Sequence, residues 1–360
     1  MATIKDVAQR AGVSTATVSR VLNGHPAPTE ETRRQVLAAV AELGYRPNIL
    51  ARSLRMQRTG TLGLIISDLL NPFFAEIARA VEDEARQHGY CTVFGNADEN
   101  DEQQLRYVRT LLDRQVDGLL VCPATDRGEW VAEVAARGVP LVLLDRAVHT
   151  GDDDTAPPVV RADGTRALHD LAAHLVGLGH RRIGVIAGPP STSTGRERLA
   201  AFSDALAALG VPLPDHLVVH GDFRKESGAR AAVELARLPE RPTVLVAMDN
   251  LMGLGALEAL RRLRLVVPTD IGLAVYDDLP WFPLLEPPIT VITQPTREMG
   301  AAAVRVLLDL VEGGSAEDVS LPARLVVRGS CGEPTPAAGH PGGDGVAPDA
   351  TDDHLEGVHG

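Results

Sequence analysis

The chain has 360 residues, enough for two or three domains, and its 44% hydrophobic and 23% charged residues support well-filled cores. No apolar run approaches the roughly 20 residues of a membrane span, and nothing at the N-terminus reads as a secretory signal, so a cytosolic protein without membrane contact is expected. The three cysteines, few and far apart, argue against a disulfide framework or a metal site, and Cys91 and Cys122, in apolar strand-like runs, are expected to be buried free thiols.

In residues 4–24, IKDVAQRAGVSTATVSRVLNG, Ile4, Val7, Ala8 and Ala11 recur at the spacing of one helix face, with Thr3 placed as the N-cap. Gly12 and Val13 break that helix. A second helix starts at Ser14, buries Val18, Val21 and Leu22, and leaves Thr15, Ala16, Thr17, Ser19 and Arg20 facing elsewhere. Two readings fit this spacing: a packing hairpin, or a helix-turn-helix whose second helix enters a major groove. Charge favours the second. Residues 1–60 carry nine Lys/Arg against four acids, a net of +5, which leaves −18 on the other 300 residues, where 26 bases face 44 acids. A basic head on an acidic body suits a head that meets phosphate.

Thr29 with Glu30 and Glu31 opens a third helix, on which Val36, Ala39, Val40 and Leu43 form one stripe and Gly44 ends the run. In YRPNILARSLRMQRTG, Pro47 and Asn48 open a short helix with Leu50 and Leu54 flanked by Arg52 and Arg55. About two turns should not be stable alone. This segment reads either as an ordinary connector or as an apolar wedge between minor-groove cations.

The segments ATIKDVAQRAGVSTATVSRVLNG, GYRPN and ARSLR resemble the DNA-binding head and hinge of the LacI/GalR family of transcriptional repressors, and NPFFAEI, VDGLLV, GHRRIG, RLAAF, DNLMGLGAL and VYDD resemble its effector body. The resemblance implies a homodimer on a palindromic double-stranded DNA operator, with hinge helices in the minor groove at the dyad. Thr15, Ala16 and Arg20 would face base edges, and Ser14, Thr17 and Asn23 would lie near phosphates. Leu54 would be the wedge with Arg55 beside it, and Thr3 also counts among the DNA-facing residues. Ala16 offers apolar contact, as to a thymine methyl, and Arg20 can bond guanine.

From residue 61 the pattern alternates. TLGLII, CTVFGN, GLLVC and PLVLLD predict strands, with helices over 73–88, 101–114 and 128–137; after HTGDDDTAPP, RIGVIA, TVLVAM and IGLAVY alternate with helices near 164–178, 196–209, 225–238 and 250–264. Such alternation predicts parallel sheets covered on both faces. Helix 296–312 and strand ARLVVRG must cross back to complete both lobes. The expected fold is therefore an all-α helix-turn-helix head (1–46), a hinge helix and linker (47–60), and an α/β two-lobed body like periplasmic binding proteins (61–330), with parallel sheets. Its N-lobe takes 61–160 plus 294–320 and its C-lobe 161–293 plus 321–330. Residues 331–360, rich in Pro, Gly, Ala and Asp, are expected to be a disordered tail.

Ligands of open α/β sheets gather beyond the carboxyl ends of strands. Asp68, Asn71, Phe73, Phe74, Asp145, Arg146, Thr194, Arg198, Asp249 and Asp277 all follow apolar runs. Each alone fits a helix cap or an interlobe salt bridge. Together, acids, arginine and aromatic faces suit a polyhydroxylated ring. In the family, the positions matching Phe73, Asp145, Arg198, Asp249 and Asp277 line the effector pocket, with Phe223 and Gln294 nearby. Asp249–Asn250 reverses the family's usual Asn–Asp order, which adds an acceptor and favours a donor-rich sugar or nucleoside over an anion. Trp281 offers either another stacking face or a core residue. The acids at 98–102 lack the glycine of a calcium loop and read as a solvated helix start. GPPSTSTG lacks the lysine of a phosphate loop and reads as a ligand-side loop, and no HExxH or GxSxG motif is present. No catalytic residue, cofactor or metal is expected. A solute-binding protein would lack the basic head, and an α/β enzyme would need a reacting partner for these acids.

Overall fold

The computed structural model describes residues 2–22, 26–45, 58–151 and 156–333. The expectations for Asn23, Leu54 and Arg55, and for the tail beyond Glu333, lie outside the described residues.

The head is three helices, α1 (Ile4–Ala11), α2 (Thr15–Leu22) and α3 (Glu30–Leu43). Thr3 and Asp6 close a capping box on α1, and Gly12, at φ +64°, ends it in the left-handed region that glycine adopts without a Cβ clash. Ser14 Oγ accepts the Thr17 N–H at 3.1 Å, and Thr29 caps α3. Val7, Ala8, Val18, Val21, Val36 and Ala39 form the core. Arg10 joins α1 to α3 through Glu42 at 2.7 Å.

The body alternates β1 (Thr61–Ile66), α4 (Pro72–Gln87), β2 (Cys91–Asn96), α5 (Asp101–Asp113), β3 (Gly118–Val121), α6 (Glu129–Ala136), β4 (Leu141–Leu144) and β5 (Val159–Asp163). It continues with α7 (Thr165–Gly177), β6 (Ile183–Ala187), α8 (Ser193–Ala208), β7 (Val218–His220), α9 (Lys225–Ala236), β8 (Val244–Ala247), α10 (Asn250–Arg262), β9 (Gly272–Tyr276), β10 (Thr290–Thr293), α11 (Thr296–Val311), β11 (Val319–Pro322) and β12 (Arg324–Val326). One sheet runs β11-β5-β4-β3-β1-β2 and is parallel throughout; the other runs β12-β10-β9-β8-β6-β7 and is parallel except for β12, which pairs antiparallel with β10. Helices cover both faces, which is why the central strands are apolar on both sides.

The chain passes between lobes three times: from β5 to α7, from β10 to α11, and from β11 to β12. The first and third crossings fall two or three residues beyond the expected boundaries at 160 and 320. Strands β5 (VVRAD) and β11 (VSLP), at one side of their sheet, carry polar residues and so give no apolar run. The start of the expected tail is corrected too: Cys331 is buried in the C-lobe core, and the Gly332 carbonyl bonds the His180 ring at 3.0 Å. Cys91 is likewise corrected, being exposed because β2 is an edge strand, whereas Cys122 and Cys331 are buried.

Helices α9 and α10 approach through glycine. A Cβ on Gly255 would lie 1.9 Å from the Lys225 carbonyl oxygen, and one on Gly228 would lie 2.2 Å from that of Met252. Backbone cannot retreat as a side chain can. Gly255→Ala should therefore lower stability by about 1–3 kcal/mol or more, read as a drop in the urea midpoint; an unchanged midpoint would show that the helices slide apart at little cost.

Candidate functional site

The lobes meet along the carboxyl ends of their strands. Asn71 caps α4 by accepting the Phe73 N–H at 3.0 Å, which sets Phe73 and Phe74 edge to face, ring centroids 5.0 Å apart. Asp145 follows β4, Asp277 follows β9, and Phe223 lies three residues after β7, all with φ between +61° and +70°. Non-glycine residues in this region carry strain that the surrounding structure must hold in place. Together with Glu99, at φ +52°, four such residues converge on the cleft.

Arg198, on α8, spans the lobes. Its guanidinium donates to the Met248 carbonyl at 2.9 Å, stands 3.8 Å from Asp145 and 3.7 Å from Asp277, and lies 3.9 Å over the Tyr276 ring. Other polar contacts also bridge the lobes: Asn250 Nδ2 donates to Asn71 Oδ1 at 2.9 Å, the Ala147 N–H to Ser193 Oγ at 3.0 Å, and Arg224 to Asp98 Oδ1 at 3.0 Å. Arg146 donates to both oxygens of Glu99 at 2.6 and 2.8 Å and lies 4.7 Å over the Phe223 ring.

Burial pushes the Asp249 carboxyl up to about 7, although its bond from the Met252 N–H opposes the shift. Asp277 is pushed up to about 6, again by burial, with Arg198 and the Gln294 amide pulling against it. A carboxyl raised in the folded state resists ionisation there. The resulting loss of stability is absent below pH 3.8, grows as the pH rises toward the folded value, and is complete above it. Asp249→Asn, which keeps an oxygen to cap α10, should therefore leave stability unchanged at acid pH and raise it by roughly a few kcal/mol near pH 8. Thermal melts of the free protein from below pH 4 up to pH 8 test this, and equal melting shifts at both ends would reject it.

Of the nine expected effector residues, Phe73, Phe74, Asp145, Thr194, Arg198, Phe223, Asp249 and Asp277 line one space between the lobes. The ninth, Gln294, sits one layer back and donates to Asp277 Oδ1 at 2.5 Å. The lobes are closed on one another, with room left for about 10 Å³, on the order of a single water. Asp68 instead accepts the Leu70 N–H at 2.9 Å, and Trp281 is 40% exposed and does not line this space. Two residues escaped the sequence reading. Glu99, taken for part of a solvated helix start, turns inward with φ +52° to meet Arg146, and only that arginine's need for a partner hinted at it. Tyr276, the last residue of an apolar run, places its ring beneath Arg198.

In the head, Ser14, Thr15, Ala16 and Arg20 are exposed on or beside α2 and Thr17 is half-buried, while Val18 and Val21 turn inward. Thr3 is exposed, and its hydroxyl is engaged with Asp6. Among the described residues no group of His, Cys, Asp and Glu is arranged to hold a metal ion, and no helix is long and apolar enough to cross a membrane.

A helix-turn-helix head joined to a two-lobed body with a polar interlobe cleft defines a DNA-binding regulator controlled by a small molecule. Family models match at both ends: bacterial regulatory proteins of the lacI family over residues 3–48, and periplasmic binding proteins and sugar binding domain of LacI family over residues 59–328. The chain belongs to the LacI family. It is 38% identical over 341 residues to the HTH-type transcriptional repressor PurR of Escherichia coli O139:H28 (strain E24377A / ETEC), covering 92% of this chain and 97% of that one. To the PurR repressor of Photobacterium profundum it is 34% identical over 319 residues, covering 88% and 94%. A structure of the lac repressor dimer bound to operator and the anti-inducer ONPF superposes with a TM-score of 0.80 at 32% identity, covering 92% and 99%. The transcriptional regulator CelR in complex with cellobiose gives 0.68 at 34% identity, covering 92% and 100%. The protein is accordingly a DNA-binding transcriptional repressor responsive to a small-molecule effector, and not an enzyme.

Proposed function

We propose that the protein works in the cytoplasm as a homodimer on a palindromic operator, and that its effector is an uncharged, hydroxyl-rich molecule, a sugar or a nucleoside, held in the interlobe cleft. The observation that carries the ligand class is the charge of the cleft: Asp145, Asp249, Asp277 and Glu99 face two arginines, one of which is already bound to Glu99 on both oxygens. Such a wall repels anions and accepts hydrogen bonds from hydroxyls, while Phe73, Phe74 and Phe223 offer apolar faces to a ring. The likeness to a regulator captured with cellobiose supports the same class. Closing the lobes on a ligand changes the relative stability of two body states, and that difference is what an effector adds to or removes from operator binding.

For the DNA side, the proposed readers are Thr15, Ala16 and Arg20, with Ser14, Thr17 and Thr3 near the backbone. Asn23, Leu54 and Arg55, outside the described residues, keep the roles that the family resemblance implies. The test is calorimetric titration of the full-length protein with neutral mono- and disaccharides, nucleosides and their phosphorylated forms, followed by operator shifts with each binder. A neutral ligand bound once per chain is expected. It should bind with proton release near pH 6–7, because Asp249 and Asp277 accept donors best when ionised. Preference for a phosphorylated ligand would overturn the class.

A further inference from the structure

A second space lies behind the effector cleft, on the side where the chain crosses between lobes. It holds about 550 Å³ and is walled by the end of β5, the start of α7, the outer face of α8, Tyr276 of β9 and Ser320 of β11. It shares Asp145, Thr194 and Arg198 with the effector cleft, so the Arg198 side chain is the partition between a closed space and an open one.

Tyr276 points to a ligand there. It is only 2% exposed, yet its hydroxyl has no hydrogen-bond partner among the described residues. The hydroxyl stands over Gly164, where a Cβ would come within 2.2 Å of it, and Gly164 starts α7 without a side-chain cap. The residue is otherwise enclosed, and its hydroxyl oxygen borders the open volume, where it is free to bond an occupant. The charge of the wall narrows the chemistry. Asp145, Asp163, Glu197 and Asp204 face Arg161, Arg198 and the exposed ring of His169. Arg161 is paired with Glu197 at 3.3 Å, and Arg198 is shared between Asp145 and Asp277. Asp163 takes the Thr165 N–H at 2.9 Å, whereas Asp204 is exposed and engages no partner among the described residues. Both arginines are committed and a carboxylate remains.

We infer that this cavity is a second ligand site, and that it takes a small organic cation bearing a primary ammonium group. The ammonium donates to the Tyr276 hydroxyl oxygen and to the carboxylates of the wall. Because the walls include the β5–α7 crossing and β11, which leads into the third, an occupant bears on the angle between the lobes. Its binding and that of the effector are then coupled, equally in both directions. The binding claim is independent of what the effector is; only the coupling rests on the effector reading.

The test is calorimetric titration of the full-length protein, at low salt, with 1,4-diaminobutane, with neutral 1,4-butanediol and with succinate. One diamine per chain should bind, and the diol and the dianion should not. Asp204→Asn should weaken diamine binding at least tenfold. Ala200→Trp, at an exposed position of α8 lining the cavity, should abolish it while leaving the thermal midpoint and the operator shift unchanged. Absence of diamine binding would overturn the site, as would equal binding of the diol. Several diamines per chain, with unchanged affinity in both variants, would mean diffuse attraction to an acidic surface and would also overturn it.

Discussion

Arg198→Ala should weaken effector binding by roughly 100-fold or more while the effector-free variant keeps the effector-free parent's affinity for operator DNA. The guanidinium is the one cation of the cleft that Glu99 does not claim, and it stands between a carboxylate of each lobe, Asp145 and Asp277. Truncating one partner of a buried, hydrogen-bonded charged group costs about 2–5 kcal/mol, mostly through the charge left behind. Asp277 would then ionise even less readily, since Arg198 is the first group pulling its raised carboxyl back down. The variant should accordingly show a higher apparent pKa for ligand-linked proton release than the parent. Titration calorimetry gives both numbers. An effector response of ordinary strength in this variant would put the ligand elsewhere.

Arg20→Ala should lower specific operator affinity by roughly 5- to 150-fold, corresponding to about 1–3 kcal/mol for a bidentate contact to guanine. Non-specific binding should fall only slightly, because one phosphate-facing charge among the nine Lys/Arg of residues 1–60 is a small share of the electrostatic attraction. The measurement is a gel shift on operator and on scrambled DNA at two salt concentrations. If both affinities fall by the same factor, Arg20 is a phosphate contact and base choice rests on Thr15 and Ala16. Both neighbours are exposed beside it on α2, which leaves room for that outcome.

The helices and buried strands were readable because each carries one clear period. Thr3, Gly12, Thr29 and Gly44 mark the ends of α1 and α3 in the sequence as they do in the structure. Strands β5, β7, β10 and β11 were not readable: β5 (VVRAD), β10 (TVIT) and β11 (VSLP) interrupt their apolar residues with polar ones, and β7 and β11 sit at sheet edges. The same edge position explains Cys91, since an apolar run on β2 exposes Val93 and Phe94 alongside it. For the cleft, residues after apolar strands were found because strand ends are positional. Glu99 follows no strand directly, and Tyr276 looked like core, so neither gave a signal. The left-handed backbone at Asp145, Phe223 and Asp277, which aims those side chains, has no counterpart in residue type.

The threefold crossing also sets the order in which the molecule can be made. The N-lobe core needs Met299, Val304, Leu307 and Leu308 from α11, and its sheet needs β11, so no stretch of chain completes that lobe without spanning most of the C-lobe as well. A nascent chain leaving the ribosome can complete the head once residue 45 has emerged, because among the described residues its core draws on nothing later. The effector-binding body must wait for almost the whole of translation before either half can close its core. During that interval the DNA-reading end exists without the part that governs it.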